Sequence, residues 1–174
     1  MEINYLLRSL LFVPGHNMKL MNSASRSDAD VLLLDLEDSV QPNKNKAIAR
    51  DTIKSFVEED KFNNHYIFPR VNDRESGELL RDLQELTIKG IHGFMYPKSK
   101  TGEDVYFIDK LLETIEYEKG FPIGTFKLIP LIETSSAVLH AEEICRASDR
   151  VVAIAFGSRS EEHTSELQSL SHIS

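Results

Sequence analysis

Short apolar runs alternate along the chain with longer stretches in which apolar residues recur every three or four positions. The runs Leu10–Val13, Val31–Leu34, Tyr66–Val71, Gly93–Tyr96, Lys127–Ile132 and Val151–Phe156 predict strands. Most are apolar throughout, which is how a strand buried on both faces of a parallel sheet reads. Between them the spacing predicts helices. Asn17 caps one that carries Met18, Met21 and Ala24, and Asn43 or its neighbours open a second with Ala47, Ile48, Ile53, Phe56 and Val57. Gly77–Lys89 carries Leu79, Leu80, Leu83 and Leu86; Asp104–Tyr117 carries Val105, Ile108, Leu112 and Ile115; Thr134–Arg146 carries Val138, Ala141 and Ile144. Each set falls on one helical stripe.

Strand and helix in strict alternation imply right-handed crossovers and a parallel α/β sheet. Two architectures accommodate six such strands. One is an open doubly wound sheet; the other is an incomplete (β/α)8 barrel, because a closed one needs eight units and about 250 residues. No Gly-x-Gly-x-x-Gly turn follows the first strand, which weakens a dinucleotide-binding reading.

Charge and cysteine content narrow the partners. The net charge of −8 disfavours nucleic acid, whose phosphates require a basic face. No stretch approaches the ~20 apolar residues of a membrane span, and no secretory leader is recognisable. The single cysteine, Cys145, lies in a helical stretch and excludes an intrachain disulfide; it is expected to be a core residue. A cytoplasmic, reducing location follows as the expectation.

From Ser158 the hydrophobic period stops. Residues 158–174, SRSEEHTSELQSLSHIS, are expected to be a non-native or disordered tail, leaving residues 1–157 as the folded domain. Within the tail, Arg159–Ser169 resembles the in-frame translation of a sequencing-library adapter.

Candidate chemistry gathers where the predicted strands end. Glu133 directly follows LIPLI; it either ligates a hard cation such as Mg2+ or stabilises the start of the next helix through the dipole. Asp35, Glu37 and Asp38 crowd the end of the second strand. Ionising all three is costly without a nearby cation or arginine, and the alternative is a solvated turn. Arg70 ends YIFPR; its planar fork suits a carboxylate ligand or an ion pair with those acids. Lys98 is placed to orient a carboxylate or phosphate, or is simply solvated, and His16 beside Gly15 is a donor or a surface residue. There is no Ser–His–Asp, Cys–His, zinc or P-loop pattern.

Six blocks, RSLLFVPG (Arg8–Gly15), ADVLLLDLEDSV (Ala29–Val40), FPRVND (Phe68–Asp73), GFMYPKS (Gly93–Ser99), LIPLIETSSAVLHAEEI (Leu128–Ile144) and VVAIAFGS (Val151–Ser158), resemble, in order, the HpcH/HpaI aldolase / citrate lyase family. The likeness is strongest to citrate lyase β-subunits and CoA-ester lyases. It implies a TIM-type barrel of which about six of eight strands are present, and a Mg2+-dependent carbon–carbon lyase. Its substrates would be a small oxoacid and an acyl-CoA or acyl-carrier thioester. Arg70 would then grip the oxoacid carboxylate and Glu133 would bind Mg2+. Asp35, Glu37 and Asp38 would surround the metal site, with Arg8 and Lys98 near the thioester entry. A second metal ligand, an aspartate in a pattern like FG-x-E-D, is replaced here by FGSRS, with Arg159 and Ser160 in the acidic places. The sequence as written therefore predicts an inactive fragment, and a homo-oligomer for the full-length protein. The alternatives are a free 2-oxoacid aldolase of the same superfamily or a non-catalytic (β/α) scaffold.

Overall fold

The computed structural model describes Tyr5, residues 7–62 and residues 64–157. Six parallel strands run through it: β1 Leu10–Pro14, β2 Val31–Asp35, β3 Tyr66–Ile67, β4 Gly93–Tyr96, β5 Lys127–Ile132 and β6 Ala155–Phe156. Helices α1 Met18–Ala24, α2 Asn45–Glu58, α3 Leu79–Leu86, α4 Gly102–Lys119, α5 Ser135–Leu139 and α6 Ala141–Arg146 fill the crossovers.

The strand order decides between the two architectures. β1, β2 and β3 pair in sequence, as do β4, β5 and β6. The halves are joined through Arg70, which bridges Asp35 on one side and Met95 on the other. Main-chain bonds from His92 N to Ile67 O (3.0 Å) and Met95 N to Pro69 O (2.9 Å) complete the seam. The order is thus 1-2-3-4-5-6 without reversal. A doubly wound sheet reverses at a switch point, whereas a barrel does not, so the chain forms an arc of six consecutive β/α units.

Two apolar layers follow from the pleat. Val31, Leu33, Phe68, Met95, Ile129 and Leu131 form the lumen cluster. Alternate strand residues, Leu32, Leu34, Ile67, Phe94, Leu128 and Ile132, pack outward with the helices. This two-sided burial is why the strands read as continuous apolar runs. Among the described residues β1 and β6 each pair on one side only, and Leu10, Leu11, Phe12 and Phe156 remain exposed there.

Several local expectations change. The extended run at Tyr66–Val71 keeps a regular ladder only over Tyr66–Ile67. Pro69 has no N–H to give, and pairing continues as single contacts such as Arg70 N to Leu34 O (3.0 Å). Val151–Phe156 likewise starts as one bridge, Val151 to Leu128, before β6. The second helix opens at Lys44, the neighbour of Asn43, as expected, but it buries Lys46, Ala49, Arg50, Ile53, Phe56 and Val57; Ala47 and Ile48 face outward, as do Met18, Leu80 and Val138 in their helices. The helix expected over Thr134–Arg146 breaks at His140, whose Nδ1 lies 2.8 Å from Ser136 O. Cys145, expected in the core, is exposed, because Ile144 takes the buried position of α6.

Candidate functional site

The carboxyl ends of β2 to β5 converge on one rim. Asp35 closes β2, and Gly15 after β1 lies so near it that an added Cβ would sit 2.8 Å from Asp35 O. That close approach requires glycine and brings the first rim loop against the second.

Arg70 is the hub. Its Nε and Nη2 donate to the two carboxylate oxygens of Asp35 at 2.7 and 2.8 Å, a bidentate pair. Nη1 lies 3.0 Å from Glu37 and 3.3 Å from Asp38. The Phe12 ring stacks on the guanidinium with its centroid 5.1 Å away. Asp35 also accepts main-chain N–H bonds from Glu37 (2.9 Å) and Ser39 (3.0 Å). Burial alone would raise the Asp35 carboxyl, but the Arg70 bonds win and hold it below the usual range. Burial opposes charge on Arg70 too, and its three carboxylate neighbours more than restore it.

Glu37 is the unsatisfied member. It is buried, and neither carboxylate oxygen has a partner in hydrogen-bond geometry, although Arg70 and Lys98 stand at ion-pair distance. Burial, reinforced by the nearby charges of Asp38 and Glu133, pushes its carboxyl up to about 7. Asp38 is mostly exposed.

Glu133 follows β5 and precedes Thr134, whose hydroxyl caps α5 by accepting from Ala137 N. One Glu133 oxygen accepts the Lys98 main-chain N–H at 2.8 Å. Lys98 achieves this with φ 52, a left-handed conformation unusual for a residue with a Cβ and of the kind retained at functional sites. On the other side stands Gly157, where a Cβ would meet Glu133 Cγ at 2.9 Å. The Lys98 ammonium bonds Asp73 at 2.7 Å and lies 3.3 Å from Glu37. The Asp73 bond, with Glu37 beside it, raises the Lys98 pKa.

Arg70, Glu133, Asp35 and Asp38 line one cleft of about 1010 Å3, together with Phe12 and the apolar lumen residues. Arg70 and Glu133 therefore share one cavity on one end of the strands. Arg8 does not join them. Preceding β1, it donates through its main-chain N, Nε and Nη2 to Asp30 (2.7–3.0 Å), and Arg8 holds the Asp30 carboxyl down at about 2. Five strand residues separate it from the rim, some 17 Å at 3.3 Å each, so the structure does not bring it into the cleft of Arg70 and Glu133. His16 is half-buried, with its Nδ1 unpartnered.

Sequence reasoning passed over Asp73, Lys46 and Gly157. Asp73 closes the arginine block and was legible in principle. Lys46 lies inside an amphipathic helix, where a lysine normally signals the solvated face. Arg159 and Ser160, at the places of the second acid, lie outside the described residues, as does the whole of residues 158–174.

A unidirectional arc of β/α units with an arginine and carboxylates on its carboxyl rim defines a barrel protein of the class that builds its site from strand-end loops. Residues 8–165 match the HpcH/HpaI aldolase/citrate lyase family, and the chain belongs to that family, as its six motif blocks imply. It is 29% identical over 163 residues to the citrate lyase subunit beta of Leuconostoc mesenteroides subsp. cremoris, covering 94% of this chain and 53% of that protein. It is 35% identical over 153 residues to the L-malyl-CoA/beta-methylmalyl-CoA lyase of Rhodobacter capsulatus, covering 86% and 48%. Among solved structures, the citrate lyase beta subunit of M. tuberculosis, complexed with oxaloacetate and magnesium, superposes with a TM-score of 0.62 and 25% identity, covering 86% of this chain and 57% of that one. The chain spans about half the length of the curated relatives it matches.

Proposed function

We propose that this chain carries the oxoacid- and cation-binding half of a Mg2+-dependent carbon–carbon lyase acting on a 3-hydroxyacyl-CoA-type or citryl thioester. The observation that carries this reading is the shared cleft of Arg70 and Glu133. The relatives named citrate lyase subunit beta and L-malyl-CoA/beta-methylmalyl-CoA lyase support the reaction class, and the oxaloacetate and magnesium bound by the M. tuberculosis protein support the ligand class.

The residues suit a hard cation. Among the described residues Asp35, Glu37, Asp38 and Asp73 form ion pairs only with Arg70 and Lys98, Glu133 accepts just the Lys98 main-chain N–H, and the Glu37 oxygens lack hydrogen-bond partners. Among the described residues no three ligating side chains converge. Glu133 would thus hold the ion with help from substrate and water oxygens, as is usual for Mg2+. When bound, the ion supplies Lewis-acid polarisation of the oxoacid carbonyl and stabilises negative charge. Arg70, held edge-on by Asp35 through Nε and Nη2, would turn Nη1 from its longer contacts with Glu37 and Asp38 to the oxoacid carboxylate. Phe12 covers one face of the guanidinium. In cleavage, the bond between the carbinol carbon and the carbon beside the thioester breaks. The hydroxyl proton leaves to a base, the carbinol oxygen becomes the oxoacid carbonyl, and the thioester departs as an enolate that regains a proton.

The test is a polypeptide spanning the relatives' full length, assayed with malyl- and citryl-thioesters with and without Mg2+. Cleavage should require the metal, and Arg70→Ala or Glu133→Gln should lower kcat/KM at least a hundredfold, on the scale of removing a key transition-state contact. Arg8→Ala should leave it within about threefold. Cleavage of free hydroxyacids but not thioesters would favour an oxoacid aldolase; no cleavage of either would favour a non-catalytic scaffold.

A further inference from the structure

Helix α2 buries two cations, Lys46 and Arg50, each only 4% exposed. One turn apart, they occupy the face that should carry apolar side chains. The Lys46 ammonium donates to Leu36 O (2.9 Å) and Glu37 O (3.1 Å), and to the Asn72 side-chain oxygen. All three acceptors are uncharged. Balancing charge lies one step further: Asp82, fully buried on α3, accepts both the main-chain N and the Nδ2 of Asn72 at 2.8 and 2.7 Å. The other Asp82 oxygen accepts from Arg50 Nη1 at 2.8 Å. This arrangement fixes which way the Asn72 amide points, so its oxygen must face Lys46.

The bridge joins two loops that both carry site residues. Leu36 and Glu37 belong to the acidic loop after β2; Asn72 lies two residues beyond Arg70. A methionine would fill the same space without desolvating an ammonium, and burying a charge is costly unless it is fully hydrogen-bonded. We infer that Lys46 is a positioning residue whose bridge from the Leu36 and Glu37 carbonyls to Asn72 sets the acid-bearing loop against the arginine-bearing loop. It does this without touching substrate. What those loops bind rests on the function proposed above; the bridge itself does not.

The experiment compares the chain with its Lys46→Met variant and with a control, Ile115→Val or Ile115→Ala, chosen to match the Tm loss of K46M. Ile115 is buried near the end of α4, in the helix layer. Calorimetry measures the Kd for glyoxylate at saturating Mg2+, and amide hydrogen exchange follows Glu37 and Ser39, which donate to Asp35. In K46M the Kd should rise at least tenfold and both amides should exchange at least tenfold faster, while the control leaves both unchanged. Equal Kd values in K46M and the control, or exchange that quickens uniformly along the chain, would overturn the inference. Should the unsubstituted chain bind no glyoxylate, Lys46 is judged by the exchange result alone, and the proposed function by the assay of the longer polypeptide.

Discussion

Glu37 and Asp35 sit two residues apart and titrate in opposite senses. Burial raises Glu37 to about 7, with Asp38 and Glu133 adding repulsion. The Asp35 carboxyl is lowered because its bonds to Arg70 outweigh its own burial. The sign for Glu37 follows from linkage. Its folded pKa exceeds its unfolded value, so its contribution to stability is complete below about pH 4.3 and is lost as the pH rises through about 7. The loss is on the order of 3 kcal/mol at full ionisation. Glu37→Gln should therefore remove the decline between pH 4.5 and 7, and should raise the urea midpoint above pH 7. The acid limb below pH 4 should persist, since Asp35 is stabilising above its unfolded pKa and loses that contribution as it is protonated. Identical urea–pH profiles for the two proteins would show that Glu37 is not desolvated. Of these residues, the sequence disclosed the acids, Arg70 and Glu133, because strand-end position and residue type are both visible in a string of letters. The left-handed backbone at Lys98 and the ammonium of Lys46 were not legible, since each depends on what the surrounding loops bring to it.

At the scale of elements, the amino ends of the later strands are tied by a second buried ion pair. Arg150, just before the Val151 bridge, donates Nη1 and Nη2 to Glu116 of α4, each at 2.7 Å, and pairs with Asp109 as well. Glu116 is fully buried and also accepts from the main-chain N of Gly124 and Phe126 at 2.9 Å. It therefore fixes the turn that leads into β5. Arg150→Ala would strand that carboxylate and should cost about 3–5 kcal/mol in urea denaturation; a cost below about 1 kcal/mol would mean that water or another cation replaces the guanidinium. Element boundaries followed the hydrophobic pattern closely at β4 and β5, where ladder and apolar run coincide. They departed from it where Pro69 interrupts pairing and where His140 divides a helix, because periodicity registers burial but not hydrogen-bond supply.

The described residues form an arc with two free margins. β1 and β6 lack a second neighbour among the described residues, and Leu11 on β1 is 38% exposed. Unpaired, apolar strand edges invite edge-to-edge association, which a lysine on the edge opposes. The chain should self-associate as its concentration rises, and Leu11→Lys should weaken that association at least tenfold in analytical ultracentrifugation. A concentration-independent monomer would contradict this expectation. Strand alternation predicted parallel α/β architecture, yet the choice between an open sheet and an arc needed the pairing order, which no local pattern encodes. The exposed Cys145 adds a practical consequence. Because it is the only thiol in the chain, a maleimide dye would attach at a single, known point on the outer helical layer. Fluorescence from that one probe could then follow ligand uptake or assembly with no mutation at all.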